Sequence, residues 1–369
     1  MKYEETGRLI KGLGGLYEVL LDKGTSPASG GRIEARAKGN FRHEGTQPLV
    51  GDRVRVQYDD TAVSHTVSGD MTPAPGNAGA IPGNTGAASG GATTVPGNTE
   101  AASGGATTAT AAPGNTAKNR DGGGAVIAEI LPRKNALIRP PMANLDFLFL
   151  TVAAANPAPM TETVDKLISI AEFNRIEPVL IIGKAELAPD VAESLTKLYT
   201  SAGFSAFPLS ARDGAGVAAL RDFLTEKMPG RIAAFAGASG VGKSTLLHVL
   251  FPEFRPETGE VSRKIARGRH TTRRVELYPA AGGFLADTPG FSMLDFVRFD
   301  FFTVRDLPDT MREFAPYLGA CRYTKCTHTK EEGCAVLAAV RDGKIAKSRH
   351  DSFLSMYAAL KNKHDWGKK

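Results

Sequence analysis

Bulky apolar residues are nearly absent from residues 64–124 of this 369-residue chain. The stretch is built of Gly, Ala, Thr, Pro, Ser and Asn, and it repeats: residues 82–94 and 96–108 are near-copies, and a third copy begins at Pro113. Solenoid repeats carry periodic large apolar residues for stacking, and these repeats carry none. A segment of this composition buries too little surface to offset its ordering entropy, so a disordered insertion is expected. Cysteine is scarce: the three cysteines all fall between Cys321 and Cys334, an odd and clustered set that excludes a secreted disulfide framework. Long apolar runs are missing too. Residues 145–155 are the nearest to a membrane span, and Asp146 interrupts them. The start, Met1-Lys2-Tyr3-Glu4-Glu5, has no apolar signal core. A cytoplasmic protein is expected, with no membrane partner. Acid does not dominate: 45 Lys and Arg face 39 Asp and Glu, a net charge of +6 that suits a polyanionic partner without requiring one.

What is present begins with short, partly alternating segments at 7–11, 16–21, 32–38, 51–58 and, beyond the insertion, 125–131. Five short strands separated by turn residues suit a small closed barrel of the oligonucleotide-binding type. Arg32, Arg36, Lys38, Arg42, Arg53 and Arg55 alternate with apolar neighbours, which predicts a basic face able to meet nucleic acid.

From residue 145 the pattern becomes strand–helix alternation. Strands are expected at 145–154, 178–182, 204–209, 232–236 and 283–286, with helices at 161–175, 188–202 and 217–226. This is an α/β domain with a mainly parallel sheet. Gly237-Ala238-Ser239-Gly240-Val241-Gly242-Lys243-Ser244, followed by Thr245, reads G-x-x-x-x-G-K-S between an apolar strand and a helix. That context makes it a phosphate-binding loop. Its glycines let main-chain N–H groups converge on phosphate oxygens at a helix N-terminus. Lys243 would reach the β- and γ-phosphates, and the Ser244 hydroxyl would hold Mg²⁺.

Asp287-Thr288-Pro289-Gly290 follows the last strand, where Asp287 could hold Mg²⁺ and the Gly290 N–H could meet the γ-phosphate. Between the two motifs lies Gly268-Arg269-His270-Thr271-Thr272-Arg273, in which Thr272 could reach Mg²⁺ when the γ-phosphate is present. Base recognition normally uses N/T-K-x-D at a strand end. The nearest match is Gly183-Lys184-Ala185-Glu186, and Ser210-Ala211 follows the next strand as a second base-contacting element. The base-reading pieces therefore precede the phosphate-reading pieces, which is the order of a circular permutation.

Cys321-x4-Cys326-x-His328-x5-Cys334 offers three thiolates and one imidazole, the donor set of a tetrahedral zinc site. Zinc would organise a segment too small to build a core of its own. Helices are expected at 335–340 and 352–361.

A barrel, a permuted GTPase and a Cys₃His module in this order resemble the ribosome small-subunit-dependent GTPase A family, RsgA, also called YjeQ. The likeness covers nearly the whole chain except the insertion, and rests on the motifs at Gly237, Gly268, Asp287 and Cys321. It implies an oligonucleotide-binding barrel at 1–139 interrupted at 64–124, a permuted GTPase domain at 140–300 and an α-helical zinc domain at 301–369. It also implies a GTPase that binds GTP and GDP with Mg²⁺, carries one structural Zn²⁺, and matures the 30S subunit late by contact with its 16S rRNA. A monomer is expected. Phe291 stands where Ras-like enzymes carry a water-orienting glutamine, and the family suggests His270 for that role, beside Lys243 and Thr272. Gly183 and Glu186 depart from the family pattern: one offers no side chain and the other is a methylene longer than aspartate. Two alternatives stay open at this point, a non-hydrolysing RNA-binding protein and an ATP-tolerant P-loop enzyme.

Overall fold

The computed structural model describes residues 2–24, 28–39, 41, 46–59, 124–138, 140–252, 275–287 and 302–363. The repeat segment, apart from Gly124, lies outside the described residues, as do Arg42, His270, Thr272 and Gly290.

Strands β1 (Lys2–Leu13), β2 (Leu16–Leu21), β3 (Arg32–Ala37), β4 (Arg53–Asp59) and β5 (Ala125–Ile130) run in the order β1-β2-β3-β5-β4, and a β1–β4 pairing closes them into a barrel. Period-two alternation fills it: Ile33 and Ala35 of β3, and Val54, Val56 and Tyr58 of β4, point inward with Leu9, Val19 and Ile127. β1 is longer than its apolar pattern suggests and has two jobs. Its first half, Lys2 to Arg8, pairs with β4. A register shift between Leu9 and Lys11 then bends the strand, and Lys11 pairs across with Glu276 of the next domain.

A small ribbon, β6 (Ala136–Leu137) with β7 (Met142–Ala143), leads into the α/β domain. There follow β8 (Phe147–Ala153), α1 (Thr161–Phe173), β9 (Glu177–Gly183), α2 (Pro189–Ser201), β10 (Ser205–Pro208), α3 (Val217–Lys227), β11 (Ile232–Ala236), α4 (Lys243–Leu250), β12 (Glu276–Ala280) and β13 (Gly283–Asp287). The sheet order is β10-β9-β8-β11-β13-β12, parallel throughout except at β12. β8, β9 and β11 are near-continuous apolar runs because helices cover both faces of a parallel sheet. β12 completes one eleven-stranded sheet by pairing with β1 of the barrel.

The C-terminal region packs 3₁₀ turns at Leu307–Thr310 and Arg312–Tyr317 against α5 (Ala335–Arg341) and α6 (Lys347–Lys363) around Phe314, Phe353, Met356 and Val336. No described helix is long and apolar enough to cross a membrane.

Candidate nucleotide site and metal centre

The carboxyl ends of β8, β9, β10, β11 and β13 share one edge of the parallel sheet, the edge where open α/β sheets bind ligands. The phosphate loop leaves β11 there. Gly237 takes φ +143°, and a Cβ on it would stand 2.2 Å from the Thr151 carbonyl oxygen, so only glycine lets the loop lie this close to β8. Gly242, at φ +100°, turns the chain into α4. The Lys243 Nζ donates to the carbonyls of Gly237 at 2.7 Å and Ala238 at 2.6 Å, so the amine curls over its own loop. Burial lowers its pKa, and a negatively charged ligand would compensate it there. Ser244 and Thr245 are exposed at the start of α4.

The segment expected to read the base meets this loop directly. Gly183 ends β9, and a Cβ on it would lie 3.4 Å from the Val241 carbonyl, an ordinary contact. Neither space nor backbone therefore demands glycine there. Lys184, at φ +56°, donates from Nζ to the Gly240 carbonyl at 2.8 Å and also to the Asn156 carbonyl. It ties the end of β9 to the phosphate loop and to the segment after β8. Ala185 and Glu186 lie in a one-turn 3₁₀ helix, anchored by Ala185 N–H donating to the Leu209 carbonyl at 3.1 Å. The Glu186 Oε2 is buried without a hydrogen-bond partner. A buried carboxylate oxygen of this kind is costly unless donors meet it, and the N1–H and N2–H₂ of a guanine are donors of the right kind. Ser210 is buried, and its N–H donates to the Ala215 carbonyl at 2.9 Å, which fixes the turn that carries Ala211.

Asp287 ends β13, one residue past the Ala234–Ala286 pair with β11, and so stands at the same edge as the phosphate loop. Burial, with Glu276 opposite it, raises its pKa. A divalent cation would suit that carboxylate. The loop positions Thr272 and His270, and Gly290 after Asp287, lie outside the described residues.

The ligand atoms of Cys321, Cys326, His328 and Cys334 all lie within 4.8 Å of one another. Tetrahedral zinc with sulfur at about 2.3 Å places ligands about 3.7 Å apart. The Cys321–Cys334 sulfurs are 3.9 Å apart, and the His328 Nδ1 is 3.6 and 3.5 Å from them. His328 adopts φ +57°, and its carbonyl accepts from the His350 Nε2 at 2.9 Å, which holds the knuckle against α6. Ala335 and Leu337 N–H groups at the start of α5 donate to the sulfurs of Cys321 and Cys334. Burial, with the neighbouring thiols, pushes Cys326 up to about 12. A bound cation reverses that shift by favouring thiolate. The cluster could hold a metal ion, and its donor set is that of zinc.

The expected basic face of the barrel needs correction. Arg32 pairs with Glu18 at 3.0 Å, Arg53 with Asp22, and Arg55 with Glu129 at 2.9 Å and Glu4 at 3.5 Å. Cross-strand carboxylates balance these arginines, and alternation within one strand cannot show them. Arg36 of β3 and Lys38 just past it remain exposed, and Lys38 donates to the amide oxygen of Gln57 at 3.5 Å. Sequence reasoning also passed over Asn156, Lys11 and Glu276.

A family model described as RsgA GTPase matches residues 130–297, and one described as RsgA N-terminal domain matches residues 6–64. The chain is 33% identical over 359 residues to a Caldanaerobacter subterraneus protein named small ribosomal subunit biogenesis GTPase RsgA, across 97% of this chain and 96% of the relative. Two solved structures share its fold. One is YloQ, described as a circularly permuted GTPase, with TM-score 0.67 and 26% identity over 98% of this chain and 96% of that one. The other is YjeQ from Thermotoga maritima, with TM-score 0.68 and 25% identity over 97% and 99%.

Proposed function

Because the chain belongs to the RsgA family of GTPases, we propose that it hydrolyses GTP and serves the maturation of the small ribosomal subunit in the cytoplasm, as a monomer that contacts 16S rRNA. The observation that carries the reading is the Lys184 bridge. It holds the segment bearing the unpartnered Glu186 oxygen against the phosphate loop, so one nucleotide can span both.

In this reading Lys243 leaves the Gly237 and Ala238 carbonyls for the β- and γ-phosphates. Glu186 accepts from the guanine edge, and the main chain at Ser210 and Ala211 lines the base. Ser244, Asp287 and Thr272 are the residues that would hold Mg²⁺, which when bound neutralises charge on the phosphate oxygens. His270 orients the attacking water, because Phe291 cannot. Zn²⁺ on Cys321, Cys326, His328 and Cys334 would be structural. Residues 1–139, 140–300 and 301–369 serve as the barrel, GTPase and zinc domains. A non-hydrolysing module is disfavoured by family membership and by the intact Lys243, Ser244 and Asp287.

Phosphate release from GTP and ATP, with and without small ribosomal subunits, tests the proposal. Release from GTP that rises with subunits supports it. Subunit binding without release, or release from ATP alone, overturns it. Glu186→Ala should weaken guanine nucleotides by about 1–3 kcal/mol and leave ATP unchanged.

A further inference from the structure

Lys11, Glu276 and Asp287 form a row across three adjacent strands. Lys11 of β1 is the register partner of Glu276 of β12, and Glu276 is the register partner of Asp287 of β13. Directly opposed residues project from the same face, so the three charges line up across the sheet in the order plus, minus, minus. The Lys11 Nζ meets the Glu276 Oε1 at 3.0 Å, and both side chains are partly exposed, 38% and 27%. Like charges directly opposed in a sheet repel, and Glu276 sits beside Asp287 with Lys11 as its counter-ion. Lys11 belongs to the barrel, the other two to the GTPase sheet. The barrel also reaches this hairpin through Arg8, whose guanidinium lies over the Phe284 ring at 5.1 Å and donates to the Gly230 carbonyl at 3.2 Å.

We infer that Lys11 is a positioning residue for the GTPase centre: through Glu276, this barrel side chain sets the charge felt at Asp287 and hence the affinity of the site for Mg²⁺. The inference rests on the reading of Asp287 as a Mg²⁺ ligand. With the ion pair intact, Glu276 is balanced, and Asp287 is the net charge facing the phosphates. Remove Lys11, and an unbalanced carboxylate adds to the attraction for a divalent cation. Remove the Glu276 charge instead, and the Lys11 ammonium, without that partner, opposes the cation, because its other register neighbour, Glu18 of β2, is already held by Arg32 at 3.0 Å. Remove both, and the two effects cancel. Loss of mere structural support would move both single variants the same way, so opposite signs with cancellation identify an electrostatic role.

The experiment uses the full chain and a fluorescent GDP analogue, titrated with Mg²⁺ to a half-saturation point. Lys11→Gln is expected to lower the half-saturating Mg²⁺ about three- to tenfold, and Glu276→Gln to raise it by a similar factor, the scale of one unit charge acting across a strand or two in partly screened surroundings. The double variant should return to within about twofold of the parent, and Lys11→Arg should match it. Thermal melting confirms that each variant folds. Single variants that shift in the same direction, or shift less than twofold, overturn the inference while leaving the GTPase reading intact. A parent protein that binds neither GDP nor GTP overturns that reading and this inference together.

Discussion

On its barrel side the GTPase sheet is joined by contacts onto main chain, beside the partly exposed Lys11–Glu276 ion pair and Arg8. The Ala143 N–H donates to the Val50 carbonyl at 2.8 Å, the Asn144 side chain reaches the Gly51 carbonyl at 3.1 Å, and β1 pairs with β12. On its C-terminal side the junction adds buried and half-buried charged side chains to the apolar contacts of Ile170 and Phe173 of α1 with the C-terminal core. Arg349 is fully buried, with its guanidinium 2.5 Å from the Asp165 Oδ1 of α1 and 2.7 Å from the Glu313 Oε1. Burial opposes the Arg349 charge, but Asp165 and Glu313 more than offset it and raise its pKa. Arg312 pairs with Glu172 at 2.6 Å and Glu177 at 2.9 Å, donates to the Gly203 carbonyl, and lies over the Phe204 ring at 4.5 Å. Main-chain joints tolerate most substitutions, because every residue carries the same donor and acceptor. Charge joints depend on single atoms, and a broken one strands its partner in a low dielectric. The barrel joint should therefore be robust except where the backbone itself is special, and the C-terminal joint should be brittle.

The largest expected effect is at Arg349. Arg349→Ala leaves Asp165 and Glu313 buried without their counter-ion and should cost about 3–5 kcal/mol in urea-induced unfolding. Replacing Arg349, Asp165 and Glu313 together by apolar residues should cost far less. An Arg349→Ala loss under about 1 kcal/mol would break the contrast between the two joints.

Gly51 is the exception on the barrel side. It sits at φ +95°, and a Cβ there would lie 2.0 Å from the Ala143 carbonyl, which is main chain and cannot swing away. Gly51→Ala should cost about 2–3 kcal/mol from backbone strain and overlap. Thermal melting checks the value, and a neutral result would show that the joint can open without penalty. Arg312→Ala comes next, at about 1–2 kcal/mol, because its side chain is 31% exposed and water screens part of each ion pair. A double variant with Arg349→Ala tells whether the two arginines act as one joint or two.

These joints explain which parts of the molecule were legible beforehand. The phosphate loop and the Cys₃His knuckle are continuous in sequence, so spacing alone exposes them. The strand–helix alternation was readable to within a residue or two: 217–226 became Val217–Lys227, and 161–175 became Thr161–Phe173, where Asn174 caps the helix and Arg175 turns to φ +56°. β12 was missed because Glu-Leu-Tyr-Pro-Ala carries a proline and weak alternation, and its pairing with β1 joins residues 265 positions apart. The Arg349–Asp165 contact spans 184 positions. Its only local trace was an aspartate between Val164 and Leu167 on the apolar face of α1. The basic face of the barrel was misjudged for the same reason, since Glu18, Glu129 and Asp22 come from neighbouring segments.

The smallest expected effect separates the knuckle from the joint beside it. Glu331 accepts from the N–H groups of Thr327, Thr329 and Lys330 at 3.0 to 3.1 Å and from the Thr327 hydroxyl. Burial works against its charge, but the hydrogen bonds from Thr327 and the surrounding main chain prevail and bring its pKa to about 2, from an ordinary 4.5. A carboxyl whose folded pKa is depressed contributes stability that is full above its unfolded pKa and is lost as pH falls through the folded one. The contribution of Glu331 should thus be constant above about pH 4.5 and fade towards pH 2. Glu331→Gln lacks a titrating group, and every other acid-sensitive group is common to both proteins. The difference in melting temperature between parent and variant should therefore shrink steadily across that window. A difference that stays flat to pH 2 would mean that the Glu331 hydrogen bonds do not depend on its charge, and that the knuckle, like the barrel joint, is held by main chain.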